Sequence, residues 1–134
     1  RVPEVVGMFQ KEVAQRIAEG PGSRTYGILS VLLQTYYDID YLFTVDEDAF
    51  DPPPRVKSGV IRLRRNDLID PGCSFSHLKR VVKGAFNQRR KTLRNALISA
   101  GFPEEVIPEE FLKKRAEQLS PTDFHRLSVA LIPR

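Results

Sequence analysis

The spacing of apolar residues changes character about halfway along the 134-residue chain, from a mixture of strand and helix periods to helix periods alone. Residues 4 to 9 are short, apolar and rich in valine, which predicts a buried strand of a parallel sheet. Gln10 to Glu19 then places Val13, Ala14 and Ile17 at helical spacing, and Gly20-Pro21-Gly22 stops the run. Tyr26 to Tyr37 carries Ile28, Leu29, Val31, Leu32 and Leu33 on more than one side, the mark of a largely buried helix. Ile39, Tyr41, Phe43 and Val45 alternate with their neighbours at period two, so this segment is predicted as a strand. Val56 to Leu63 reads as another, with Ile61 and Leu63 on one face and Val60 and Arg62 on the other. The connection is short enough to make these two strands antiparallel neighbours. It contains Pro52, Pro53 and Pro54, which fix their own dihedrals and hold the preceding residues extended, so a stiff loop is expected.

Asn66-Asp67-Leu68-Ile69-Asp70-Pro71-Gly72 is rich in turn formers and marks a boundary, beyond which the pattern is entirely helical. Phe75, Leu78, Val82 and Phe86 repeat at three and four residues, and Leu93, Leu97 and Ala100 resume the spacing before Gly101 and Pro103. On this reading Lys79 and Lys83 share one helix face, as do Arg90 and Arg94. Pro108 with Glu109 and Glu110 predicts a further helix start, because proline suits the first turn and acids suit its positive end. Ser120-Pro121-Thr122-Asp123 predicts a last helix, opened by a serine cap and burying Phe124, Leu127 and Leu131.

Charge sharpens the division. Residues 1 to 54 carry four basic and nine acidic side chains, and the rest carry seventeen and eight. Between Asp70 and Glu104 no acid occurs, while Lys79, Arg80, Lys83, Arg89, Arg90, Lys91 and Arg94 all do. Clustered cations that neutralise phosphates are the main source of nucleic-acid affinity, so this stretch points to an RNA or DNA surface, with a solvated helix face as the competing reading. A single cysteine, Cys73, excludes an internal disulfide, and His77 and His125 lack ligand-like neighbours, so no metal site is expected. No stretch approaches the apolar length of a membrane span, and a cytosolic, cytoplasmic protein is the simplest expectation. A strand-like run directly after Arg1 suggests a fragment of something longer.

Four segments, in order and with fitting separations, resemble the small-subunit (16S-type) ribosomal RNA adenine dimethyltransferases. They are Gln10-Lys11-Glu12-Val13-Ala14-Gln15-Arg16; Tyr26-Gly27-Ile28-Leu29-Ser30-Val31 with Gln34; Phe50-Asp51-Pro52-Pro53-Pro54-Arg55-Val56-Lys57-Ser58-Gly59-Val60; and Phe86 to Leu97. The resemblance runs from Val5 to Ile132 and implies an α/β plus all-α chain. Residues 1–65 would supply the last three strands of a class I, Rossmann-like methyltransferase sheet that uses S-adenosylmethionine. Residues 66–134 would form a helical RNA-binding domain. The family's glycine-rich cofactor loop, acidic ribose ligand and Asn-Leu-Pro-Tyr-type catalytic motif are not found here, and Gly20-Pro21-Gly22 follows a helix instead of opening one. The resemblance therefore implies an active enzyme when intact, and a fragment that is inactive alone, binds no cofactor and holds no confident catalytic group.

The resemblance places Phe50 where an extruded adenine is stacked, against the competing reading of a ring that plugs the sheet edge. Arg89, Arg90, Lys91 and Arg94 are the leading RNA contacts, with Lys79, Arg80 and Lys83 extending the track and Arg55 and Lys57 joining it near the pocket. Lys113, Lys114 and Arg115, flanked by Glu109, Glu110 and Glu117, are read as solvated, and Gln10, Glu12 and Tyr26 as structural. The implied partner is small-subunit ribosomal RNA in an assembling small subunit. Self-association through an uncovered strand edge is also expected. Two alternatives stand beside this: a non-enzymatic RNA-binding module of the same fold, and a large-subunit adenine methylase of the antibiotic-resistance type.

Overall fold

The computed structural model describes residues 4–52, 55–66 and 70–133. Pro53 and Pro54 of the proline run, and Asp67 to Ile69 of the boundary turn, lie outside the described residues. The elements are β1 (Glu4–Gln10), α1 (Lys11–Ala18), α2 (Ile28–Tyr36), β2 (Tyr37–Val45), β3 (Ser58–Arg65), α3 (Phe75–Asn87), α4 (Leu93–Ser99) and α5 (Pro121–Ala130). Short 3-10 turns cover Glu47–Ala49, Glu104–Val106, Glu109–Phe111 and Ala116–Gln118.

The sheet has the order β1-β3-β2, with β3 antiparallel to both neighbours. The antiparallel pairing of β2 with β3 is as the short connection requires. The expectation for β1 is corrected: its ladder is antiparallel, and Val5, Val6, Met8 and Phe9 are exposed rather than buried. A valine-rich run fixes extended backbone but carries no information about ladder direction or about what covers its faces. The alternation in β2 is also interrupted, for Tyr41 faces Ile61 while Phe43 faces Val60. Leu42 is the extra residue of a bulge, and Phe43 becomes exposed.

β3 is central because α1 packs on it. Gly59 makes that approach possible, since a Cβ there would stand 2.8 Å from the Ala14 Cβ and 2.7 Å from the Tyr41 hydroxyl. Ala14, Ile17 and Ile61 form this small core. The last turn of α1 leaves carbonyls without helical partners, and α2 supplies donors for them. Gln34 Nε2 reaches the carbonyls of Ile17 (2.9 Å) and Glu19 (2.8 Å), and the Ser30 hydroxyl donates to that of Arg16. Within α2 only Leu29 is exposed; Val31 and Leu32 enter the larger core while Leu33 packs against the small one, so the helix is largely buried, as its apolar residues on more than one side require.

The larger core joins α2 to the helical part: Tyr26, Val31 and Leu32 pack with Leu78, Val81, Val82, Leu93, Leu97, Phe111, Phe124 and Leu127. The Tyr26 ring meets Phe86 edge-on at 6.0 Å, Phe86 stacks on Phe124 at 5.6 Å, and the Tyr26 hydroxyl donates to the Leu119 carbonyl at 2.6 Å. Capping side chains start the helices. Ser74 and Thr92 accept from the amides of His77 and Asn95, and Ser120 and Asp123 accept from each other's amides at 3.1 Å. The helix expected from Pro108 is only the Glu109–Phe111 turn. Its chain is drawn off toward α4, where the amides of Leu93 and Arg94 bind the carbonyls of Lys114 and Leu112. Residues 88–92 are likewise a turn, so Arg90 and Arg94 do not share a helical face.

His125 in α5 is buried and its Nε2 lies 2.8 Å from Thr35 Oγ1, whose hydroxyl donates to the Val31 carbonyl at 2.7 Å. The ring nitrogen is therefore the donor, and burial pushes the imidazole pKa down. Because the unfolded chain accepts this proton more readily, folding stability is full above about pH 6.5 and falls as the pH drops through that value. Urea midpoints should decline between about pH 6.5 and 5, and His125→Gln should flatten that segment of the profile.

Candidate nucleic-acid interface

The cations singled out from the sequence, Arg94 aside, occupy four places. Lys79, Arg80 and Lys83 line one groove beside α3, with a volume of about 590 Å³. Arg89 lines a second groove, of about 430 Å³, together with Arg16, Arg24, Gly27, Ile28 and Phe86. Arg90 and Lys91 project, exposed, from the turn just after Arg89. Arg55 and Lys57 are exposed at the far end of the sheet, beside the start of α1, where the Lys57 carbonyl accepts from the Lys11 amide at 2.9 Å. Phe50 belongs to the same loop. It is half-buried, follows the Glu47–Ala49 turn, and belongs to neither hydrophobic core.

Ion pairing separates these residues into two kinds. Arg94 is held by Glu104, and Arg89 donates to the Tyr26 carbonyl, lies 3.9 Å from Glu117 and rests 5.4 Å over the Phe86 ring. Arg89 thus fixes the turn that presents Arg90 and Lys91. Lys79, Arg80, Lys83, Arg90, Lys91, Arg55 and Lys57 have no carboxylate partner among the described residues. Their charge is uncompensated and available to an anion.

Arg16 and Arg24 were not among the residues singled out from the sequence. In the sequence Arg16 sits four residues after Glu12, with which it pairs at 2.7 Å, and Arg24 lies in a Gly-Ser-Arg-Thr loop. Neither pattern distinguishes them from ordinary surface residues. They reach Arg89 only because Tyr26 docks on Phe86 and brings the start of α2 to the end of α3.

Glu12 and Tyr26 take up partners within the chain, as does Gln34. Cys73 is half-buried, and burial and then Asp70 push its thiol pKa up, away from reactive thiolate. His77 binds the Ser128 carbonyl at 2.7 Å, joining α3 to α5. Among the described residues no group of His, Cys, Asp and Glu side chains could hold a metal, and no helix is long and apolar enough to cross a membrane.

The chain matches known proteins along nearly its whole length. The family model described as Ribosomal RNA adenine dimethylase matches residues 2–132, and the chain belongs to that family. It is 57% identical over 134 residues to the Ribosomal RNA small subunit methyltransferase A of Porphyromonas gingivalis, covering 98% of this chain and 51% of that protein. It is 56% identical over 128 residues to the protein of the same name from Cytophaga hutchinsonii, covering 96% of this chain and 50% of the other. The chain thus spans about half the length of these curated relatives. Its fold is similar to part of a dimethyladenosine transferase from Plasmodium falciparum, with a TM-score of 0.79 at 22% identity over 93% of this chain and 55% of that one. The 23S rRNA methyltransferase ErmE has a TM-score of 0.66 at 20% identity, over 98% of this chain and 55% of that one. Both likenesses place the small sheet with its helices among methyltransferase folds.

The two kinds of arginine should separate experimentally. Arg89→Ala is expected to lower both the melting temperature, by a few degrees, and RNA affinity. Arg90→Ala should leave the melting temperature unchanged while weakening RNA binding and reducing the slope of log affinity against log salt by about one. Thermal melts and salt titrations of the two variants provide the comparison.

Proposed function

We propose that this chain is the RNA-holding and base-presenting part of an S-adenosylmethionine-dependent methyltransferase that dimethylates adjacent adenosines near the 3′ end of small-subunit ribosomal RNA. Its partner is the assembling small ribosomal subunit, and its place of work the cytoplasm. The observation that carries this reading is the family match over residues 2–132 in a chain whose unpaired cations gather around α3 and the turn after it. The names of the curated relatives support the small subunit over the large one. In this reading residues 1–65 complete a larger methyltransferase sheet as its last strands, and residues 66–134 are the helical domain that grips RNA.

The chemistry asks for an adenine out of its stack, because an exocyclic amine inside a helix cannot meet a methyl donor. Phe50 offers a half-buried ring for the face of the extruded base. Arg55 and Lys57, exposed a few residues on from Phe50 in the chain, neutralise the flanking phosphates, and the Arg90-Lys91 turn, anchored by Arg89 and accompanied by Arg24, holds RNA further along. Bound S-adenosylmethionine supplies the methyl group. The described residues do not fit it: the glycines with positive φ, Gly22, Gly72 and Gly101, stand away from any strand-to-helix junction, and the junction of β1 with α1 is Gln10-Lys11. The chain alone is accordingly proposed to position the target without transferring methyl groups.

The intact protein should transfer methyl groups to purified small subunits and not to large ones. Phe50→Ala should cut the methylation rate roughly fivefold to a hundredfold, the equivalent of losing about 1–3 kcal/mol of stacking. Transfer confined to large subunits would identify the enzyme as the antibiotic-resistance type instead, and no transfer to either would leave a non-enzymatic RNA-binding module. For the chain alone, the exposed Val5, Val6 and Met8 on an edge strand should drive self-association, seen as concentration-dependent sedimentation.

A further inference from the structure

The groove between α3 and α4 differs in kind from the one around Arg89. Ser76, Lys79, Arg80, Lys83 and Asn87 recur along α3 at three- and four-residue spacings, so they form one ridge of the helix, about 16 Å long at 1.5 Å per residue. No acid lines this groove, and none of its three cations is ion-paired among the described residues. Arg80 is laid over Phe102, 4.3 Å from the ring centroid, which holds its guanidinium in place on the α4 side. Gly84 keeps the two helices close, for a Cβ there would come within 2.9 Å of the Ala100 Cβ.

No aromatic ring lines this groove, and Phe102, behind Arg80, is 4% exposed. Without an aromatic platform its cations and polar side chains suit phosphates and sugar hydroxyls, which is how duplex RNA presents itself, with its bases hidden. The groove around Arg89 differs in its lining, which includes the half-buried Phe86 ring beneath Arg89 and the exposed Leu29. The two grooves share no lining residue.

We infer that the α3–α4 groove is a separate seat for the backbone of a duplex RNA segment, with Lys79 and Lys83 each neutralising a phosphate and Ser76 and Asn87 hydrogen-bonding the sugar-phosphate chain. This rests on the reading that the chain holds ribosomal RNA, and it adds that two segments are held at once. Two linked contacts raise the effective concentration of each for the other, so modest individual affinities suffice for a firm grip.

The test uses this chain with two probes: an RNA duplex of about 16 base pairs, near the span of a duplex-binding domain, and an unstructured single-stranded RNA. Lys79→Ala with Lys83→Ala should weaken duplex binding at least about fivefold and lower its salt slope by about two, leaving single-strand binding within about twofold. Lys79→Arg with Lys83→Arg should preserve duplex binding, and Arg90→Ala with Lys91→Ala should act chiefly on the single strand. Duplex affinity unchanged by the double alanine variant, or both probes weakened equally, would overturn the separate seat. Displacement of the duplex by polyglutamate at equal charge concentration would also overturn it, in favour of an acidic protein partner. A chain that binds neither RNA would instead overturn the ribosomal RNA reading on which the inference rests.

Discussion

Tyr26 is the residue on which the arrangement turns. It is fully buried, and three parts of it are engaged at once: the ring against Phe86, the hydroxyl on the Leu119 carbonyl, and its own carbonyl on the Arg89 guanidinium. Each contact crosses from the segment preceding α2 to the helices beyond residue 70. A buried carbonyl left without its donor forfeits its desolvation energy, so the Leu119 bond makes the position of the ring specific and not merely apolar. The same residue therefore seats the helical part on α2 and aims the turn that carries Arg90 and Lys91.

That turn shows how one charge run comes to serve two purposes. Arg89 and Arg94 flank it and are consumed by internal partners, whereas Arg90 and Lys91 between them face solvent unopposed. Anchored arginines on either side limit the freedom of the exposed pair, so less conformational entropy is lost when phosphate is bound. A guanidinium suits the anchoring task because its planar fork satisfies a carbonyl and a carboxylate in fixed directions.

The sequence reveals much of this and conceals the rest for identifiable reasons. Helices α1, α3 and α5 follow from apolar spacing, and α5 also from its Ser120 cap, which are local signals, and β2 with β3 follow from alternation and a short connection. The Pro108 segment misleads because proline and acids suit a helix start, but the Lys114 and Leu112 carbonyls are claimed by α4 within one turn. The direction and exposure of β1 depend on partners that a seven-residue run does not encode. For the interface, the dense cations of α3 and its following turn are plain in the chain, while Arg16 and Arg24 join them only through the docking of Tyr26 on Phe86. Which arginines are spent on internal partners is likewise a tertiary fact, for Glu104 and Glu117 lie ten or more residues from the groups they hold.

The unpaired Leu42 gives the sheet an indexing step. Up to Tyr41, β2 and β3 match residue for residue, and after the step every later position of β2 is turned over relative to a regular strand. Val45 therefore ends the strand on the face it does because of a residue that makes no ladder pair. Loss or gain of one residue here would turn over the end of β2 relative to β3, so the length of the strand, more than its composition, sets how it hands over to the loop that follows.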